Sequence, residues 1–107
     1  MRKGLPHILA LSLALIAAPA VAQISDQRVL ELKHMVLQDC GSCHGLTRKG
    51  GLGGPLTYAA LKDIPPEVLE GKILNGVPGT AMPRWQPLLS VDDAKWIVEY
   101  LLKEPSK

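Results

Sequence analysis

Both cysteines of the chain fall in one five-residue stretch, Cys40-Gly41-Ser42-Cys43-His44. Four chemistries use such a pattern: a local disulfide, a metal clip, a thiol redox switch and the covalent anchor of a haem. Each demands a different scaffold around it. The remainder of the sequence therefore decides both fold and chemistry.

The first 22 residues read as an export signal rather than as fold. A basic start, Met1-Arg2-Lys3, precedes an uncharged, largely apolar run from Leu5 to Pro19. Ala20-Val21-Ala22 then offers a small-x-small cleavage site, the layout of a secretory signal peptide. The run is broken by Pro6 and Pro19 and is short for a transmembrane span. The expected division is a cleaved signal over 1–22 and one small domain over 23–107. That domain would work in the periplasm, with no membrane span after cleavage. Removing Arg2 and Lys3 leaves ten basic against ten acidic residues. Phosphate binding needs a clear basic excess, so nucleic acid is excluded as the main partner. A domain of roughly 85 residues is hard to stabilise by its own core. This one has no Phe, two Trp and two Tyr. The deficit calls for something else in the core, such as a bound cofactor.

Helical patterns account for the rest. Ser25 caps a helix from Asp26 to about Gln38, with Val29, Leu32, Met35 and Val36 on one face and Arg28, Glu31 and Lys33 opposite. The glycine-rich stretch 45–56 is neither a dinucleotide fingerprint nor a Walker loop. Its glycines would let the backbone turn tightly against a bulky ligand. Residues 57–63 predict a short helix. Residues 65–76 predict another, with Pro66 in the first turn and Gly76 as its stop. Pro78, Pro83 and Pro87 keep 77–87 irregular. Ser90 and Asp93 form a capping box, with Asp for the usual Glu. The helix it opens has Val91, Ala94, Ile97, Val98, Leu101 and Leu102 on its apolar face and ends at Pro105. No alternating strand pattern and no repeat is present, so the chain is all-α.

On that scaffold the four chemistries separate. A Cys40–Cys43 disulfide would close a tiny loop and stabilise little. A thioredoxin-like switch wants a βαβ pattern, which is missing. Structural zinc wants four ligands, and the domain offers only Cys40, Cys43, His34 and His44, two of them adjacent. Cys-x-x-Cys-His is the attachment sequence of c-type haem. Two thiols three residues apart match the two vinyl groups at the ring edge, and the next histidine falls under the iron. Export agrees, because bacteria attach haem outside the cytoplasm. One haem c is expected, held through Cys40 and Cys43 with His44 as an axial ligand.

The second axial position has three candidates. Met35 lies on the apolar face of the first helix and reads as core. His34 reads as a helix-surface histidine, too close to the motif to reach the other haem face. Met82 sits in a proline-held loop far along the chain and can close over that face. A thioether ligand favours ferrous iron and raises the reduction potential. Filling both positions leaves no open site for a substrate, which argues for electron transfer. A carbonyl in the Gly53-Gly54-Pro55-Leu56 loop could hold the outer ring nitrogen of His44.

These pieces resemble the class I cytochromes c. The matching stretches are CGSCHG, GGPL, GVPGTAMPRW and DDAKWIVEYLLK, in order across essentially the whole domain. The resemblance implies a small class I cytochrome c fold, with helices wrapped round one haem and the first and last packed together. It implies Cys40 and Cys43 as thioether residues and His44 and Met82 as axial ligands. Pro55 matches the residue whose carbonyl holds the histidine, and Trp85 an aromatic near a haem propionate. Trp96 and Tyr100 match aromatics of the last helix. The first helix departs from the family, which often has a glycine and an aromatic at its contact with the last helix.

More narrowly, the loops are similar to those of the small cytochromes c of denitrifying bacteria that accompany cytochrome cd1 nitrite reductase. That implies a monomeric carrier of single electrons feeding that enzyme, or an accessory redox protein in maturing its haem d1. Arg48, Lys49, Lys62, Lys72 and Arg84, against Asp63, Glu67 and Glu70, leave a small basic excess for an acidic partner. A ligand sensor with a labile Met82, or a bare thiol protein, are the competing readings.

Overall fold

The computed structural model describes residues 3–5, 12–17 and 23–103. The expected cleavage triplet, Ala20-Val21-Ala22, and the helix stop at Pro105 lie outside the described residues. Helix α1 (Asp26–Met35) starts as expected, with Ser25 Oγ accepting the Arg28 N–H at 3.1 Å.

The helix does not stop at Gln38. It widens into one π-helical turn, Val36–Cys40, and resumes as α2 (Gly41–His44). No proline interrupts this stretch, and its one glycine, Gly41, is buried against Leu46. A π turn admits one extra residue and so shifts the helical phase. Leu32 and Val36 thereby face the core, while Cys40, Cys43 and His44 line a cavity. Gly45, at φ +89°, turns the chain out of the helix.

Thr57 caps α3 (Tyr58–Leu61) by accepting the Ala60 N–H at 3.3 Å. Helix α4 (Pro66–Asn75) begins on proline, whose missing N–H has no helical partner to lose there. Helix α5 (Val91–Lys103) opens on the expected box: Asp93 N–H donates to Ser90 Oγ and Ser90 N–H to Asp93 Oδ2, each at 3.0 Å. Among the described residues there is no strand.

Helix α5 is the axis of the core and packs against α4, α3 and α1. Its Ile97, Val98 and Leu101 join Leu32, Val36, Leu61, Leu69 and Leu89 in one buried cluster. Val91 does not join them. It is 56% exposed, because it opens the helix ahead of the packed turns.

Arg28 also departs from expectation. Its long side chain leaves the solvent face of α1 and reaches α5. Nη2 donates to Asp93 Oδ2 at 2.9 Å, Nε to Asp93 Oδ1 at 3.3 Å, and Nη2 to the Leu88 carbonyl at 3.0 Å. Arg28 Nη1 donates as well to Glu31 at 2.9 Å. The fork on Asp93 joins the first and last helices. Arg28, together with the Ser90 N–H, holds the buried Asp93 carboxyl below the usual carboxylate range.

Asp93→Ala removes both the cap and the fork. The expected loss is about 2–4 kcal/mol, with the core otherwise unchanged. Because the folded carboxyl titrates below the unfolded one, its stabilisation is complete above about pH 4. It is lost as the pH falls from there through the lowered folded value. Thermal melts at stepped pH should show the wild type losing stability in that acid window and Asp93→Ala losing less.

Candidate haem-binding site

The end of the first helix, the 45–56 loop, α4, the 77–85 loop and the inner face of α5 enclose a cavity of about 640 Å³. Cofactor-sized pockets span about 300–1,000 Å³. Leu56, Leu61, Ile64, Leu69, Ile73 and Ile97 give it aliphatic walls. Cys40, Cys43 and His44 line it from the first helix, Pro55 from the glycine-rich loop, and Met82 and Trp85 from the later loop. Every residue singled out from the sequence as touching the cofactor thus borders one cavity.

Both cysteines are half-buried thiols with no disulfide between them. Burial, with the Asp39 charge alongside, pushes the Cys40 thiol up to about 11. A thiol held protonated at neutral pH is a poor nucleophile, which is the reverse of what a redox switch requires. Among the described residues, no three His, Cys, Asp or Glu side chains group to hold a metal ion.

The His44 ring is fixed by one hydrogen bond, from Nδ1 to the Gly54 carbonyl at 2.7 Å. A carbonyl only accepts, so Nδ1 carries a proton, and in the neutral ring Nε2 keeps its lone pair. This is the tautomer a metal-binding imidazole needs. The acceptor is Gly54, not Pro55. Proline restricts the backbone of the residue before it, so the carbonyl held towards the ring is the one just ahead of Pro55. Pro55 itself contributes to the cavity wall.

Gly53, not singled out from the sequence, packs directly against the His44 ring. A Cβ there would lie 2.7 Å from His44 Cε1 and Nδ1. The loop is stitched to the end of α2: Gly53 N–H donates to the Cys43 carbonyl at 2.7 Å and Gly50 N–H to the His44 carbonyl at 2.9 Å. These are carbonyls that a helix C-terminus leaves without partners. The Gly-Gly-Pro run following the motif is the only trace of this in the sequence.

Met82 and Trp85 are half-buried. Their loop leaves α4 through Gly76, at φ +68°. A turn follows, Val77-Pro78-Gly79-Thr80, closed by Thr80 N–H donating to the Val77 carbonyl at 3.1 Å. Proline second and Gly79 third, at φ +79°, is the pattern of a type II turn. The chain then runs back along α4, with Trp85 N–H donating to the Ile73 carbonyl at 3.1 Å and Gln86 N–H to that of Leu74 at 3.2 Å.

His34 is exposed and Met35 packs partly buried against the core, as expected for both. Of the five basic residues in the middle of the chain, Lys72 borders the cavity. Arg48 instead lies over the Tyr100 ring at 5.6 Å, and Tyr100 stacks on Trp96 at 5.0 Å. That contact ties the glycine-rich loop to α5.

A helical sleeve of this kind, with Cys-x-x-Cys-His on its wall, defines a c-type cytochrome. Comparison with known proteins agrees. The family described as cytochrome c oxidase, cbb3-type, subunit III matches residues 27–101. Cytochrome c55X of Paracoccus denitrificans (strain Pd 1222) is 59% identical over 96 residues, which are 89% of this chain and 93% of that protein. Cytochrome c55X of Pseudomonas aeruginosa is 46% identical over 107 residues, covering 95% and 90% respectively. Among solved structures, a c-type cytochrome NirC superposes with TM-score 0.74 at 50% identity, over 75% of this chain and 94% of that one. Dihydro-heme d1 dehydrogenase NirN, solved in complex with DHE, gives TM-score 0.64 at 32% identity. That match covers 70% of this chain but 16% of NirN. The chain belongs to the cytochrome c55X family of class I c-type cytochromes. It is an electron-transfer protein rather than an enzyme, and membership of this family implies covalent haem c.

Gly53→Ala tests the packing on His44. The ring cannot retreat without stretching its bond to Gly54, so overpacking should destabilise the protein by about 1–3 kcal/mol. Thermal melts should show that loss, and haem absorbance per mole of purified protein should fall with it.

Proposed function

We propose that the protein is an exported monohaem carrier that moves single electrons in the periplasm, with cytochrome cd1 nitrite reductase as its acceptor. In this reading the Cys40 and Cys43 sulfurs hold the haem through thioether bonds. His44 Nε2 and Met82 Sδ would be the ligands of its iron, and Pro55 and Trp85 would pack against it. When bound, the haem supplies an iron centre that gains and loses one electron.

The observation that carries the reading is the 2.7 Å hydrogen bond between His44 Nδ1 and the Gly54 carbonyl. Nδ1–H donates to that carbonyl, which leaves Nε2 of the neutral ring as the free donor atom of a side chain bordering the same cavity as Met82. The aliphatic walls exclude water, and the thioether of Met82 favours the ferrous state. With both donors engaged, nothing is left open for a substrate. Leu52, 81% exposed at the cavity rim, and Ser42 would meet the partner in a small, rapidly exchanging interface. The carrier acts as a monomer. The export signal over 1–22 belongs to the same proposal and is supported by its basic start, apolar run and cleavage triplet.

A second reading is favoured by the likeness to part of a dihydro-heme d1 dehydrogenase. There the carrier would take up, one at a time, electrons released while haem d1 is made.

Two measurements test these readings. Met82→Ala should keep its haem, bind carbon monoxide readily and lose more than about 59 mV of reduction potential, a tenfold shift towards the oxidised form. An unchanged potential removes Met82 from the ligand set. Reduced wild-type protein, mixed by stopped flow with cytochrome cd1 nitrite reductase and nitrite, should be reoxidised rapidly and catalytically. Absent reoxidation overturns direct donation and moves the assignment to haem d1 maturation or to another acceptor.

A further inference from the structure

We infer that Thr80 is a positioning residue for Met82, its hydroxyl holding the backbone that carries the thioether. The inference rests on the reading of Met82 as an axial ligand. Thr80 Oγ1 donates to the Val77 carbonyl at 2.7 Å and accepts the Met82 N–H at 3.3 Å. The Val77 carbonyl also takes the Thr80 N–H at 3.1 Å, and Val77 N–H donates to the Met82 carbonyl at 3.3 Å. Both backbone polar groups of Met82 are therefore tied within six residues, and one of the two ties is the Thr80 side chain. Behind them stands Gly76, where a Cβ would lie 2.8 Å from the Met82 carbonyl oxygen.

Thr80 borders the cavity itself, so the hydroxyl acts beside the ligand rather than on a remote surface. A β-branched side chain has few χ1 states, which keeps Oγ1 near both partners. Thr80 is exposed, and water competes for the hydroxyl. Its loss therefore changes how often the loop releases Met82, not whether the protein folds. An axial methionine yields to another ligand only when its loop opens, so the opening equilibrium is measurable directly.

The test uses the ferric holoprotein with imidazole as the probe. Loss of the sulfur-to-iron charge-transfer band reports displacement of Met82. Wild type, Thr80→Val, Thr80→Ser, Thr80→Ala and Met82→Ala are compared for imidazole binding, reduction potential and melting temperature. Removing a hydrogen bond of ordinary strength should let Thr80→Val bind imidazole about five- to tenfold more tightly. Its potential should fall, while Thr80→Ser stays within about twofold of wild type. Thr80→Ala should match Thr80→Val, which shows that the effect is not crowding by the added methyl group. If both variants bind imidazole like wild type while Met82→Ala binds it far more tightly, the role of Thr80 is refuted and the ligand assignment stands. If Met82→Ala also matches wild type, the ligand assignment fails, and the role of Thr80 falls with it.

Discussion

Apolar walls around a cofactor-sized cavity are the constraint on which the rest of the structure depends. Side chains such as Ile64, Leu69, Ile73 and Val98 line a cavity of about 640 Å³. Apolar contact is worth about 25 cal/mol for each Å² withdrawn from water, so these walls favour an apolar group seated between them. Two loops complete the cavity, mainly through backbone hydrogen bonds. The 45–56 loop bonds to carbonyls at the end of α2, and the 77–85 loop to carbonyls in the last turn of α4. Both use groups that a helix leaves orphaned at its C-terminus. A domain this small completes its core with a bound group.

Much of this was legible because helix ends carry local chemistry. Ser25, Ser90 with Asp93, Pro66 and Gly76 each mark a boundary through their own hydrogen bonds or backbone preference, and the structure has each in that role. What escaped depends on partners distant in sequence or on helical phase. The π turn at Val36–Cys40 leaves no residue signature, because it is a slip in phase that any side chain tolerates. Gly53 matters only once the His44 ring lies against it. The step from Pro55 to Gly54 as acceptor turns on which carbonyl of a peptide pair points inward, and that is settled only once the loop lies against the His44 ring. Arg28 was read by helical face, and a side chain that long is not bound by the face it starts from.

The contact between the first and last helices shows how one requirement can be met by different chemistry. The glycine and aromatic often found there would join the helices by close approach and apolar area. Here the Arg28 fork on Asp93 joins them by charge, while Leu32 and Val36 supply the apolar share against the α5 cluster. Asp93 is at once the cap of α5 and the anchor for Arg28, so one carboxylate serves both that helix end and the docking of α1.

Surface loops ordinarily accept added or missing residues more readily than the elements they join. The stretch from Gly76 to Met82 is built the other way. It is pinned at its start by the close approach of Gly76 to the Met82 carbonyl, in its middle by the turn, and beyond its end by the bonds of Trp85 and Gln86 to α4. One residue more or fewer would leave α4 and α5 intact and yet carry the thioether to a different point of the wall. Length is therefore something relatives of this chain must preserve here beside residues such as Gly76, Thr80 and Met82, and variation between them should take the form of substitutions at the other positions of a loop of constant span.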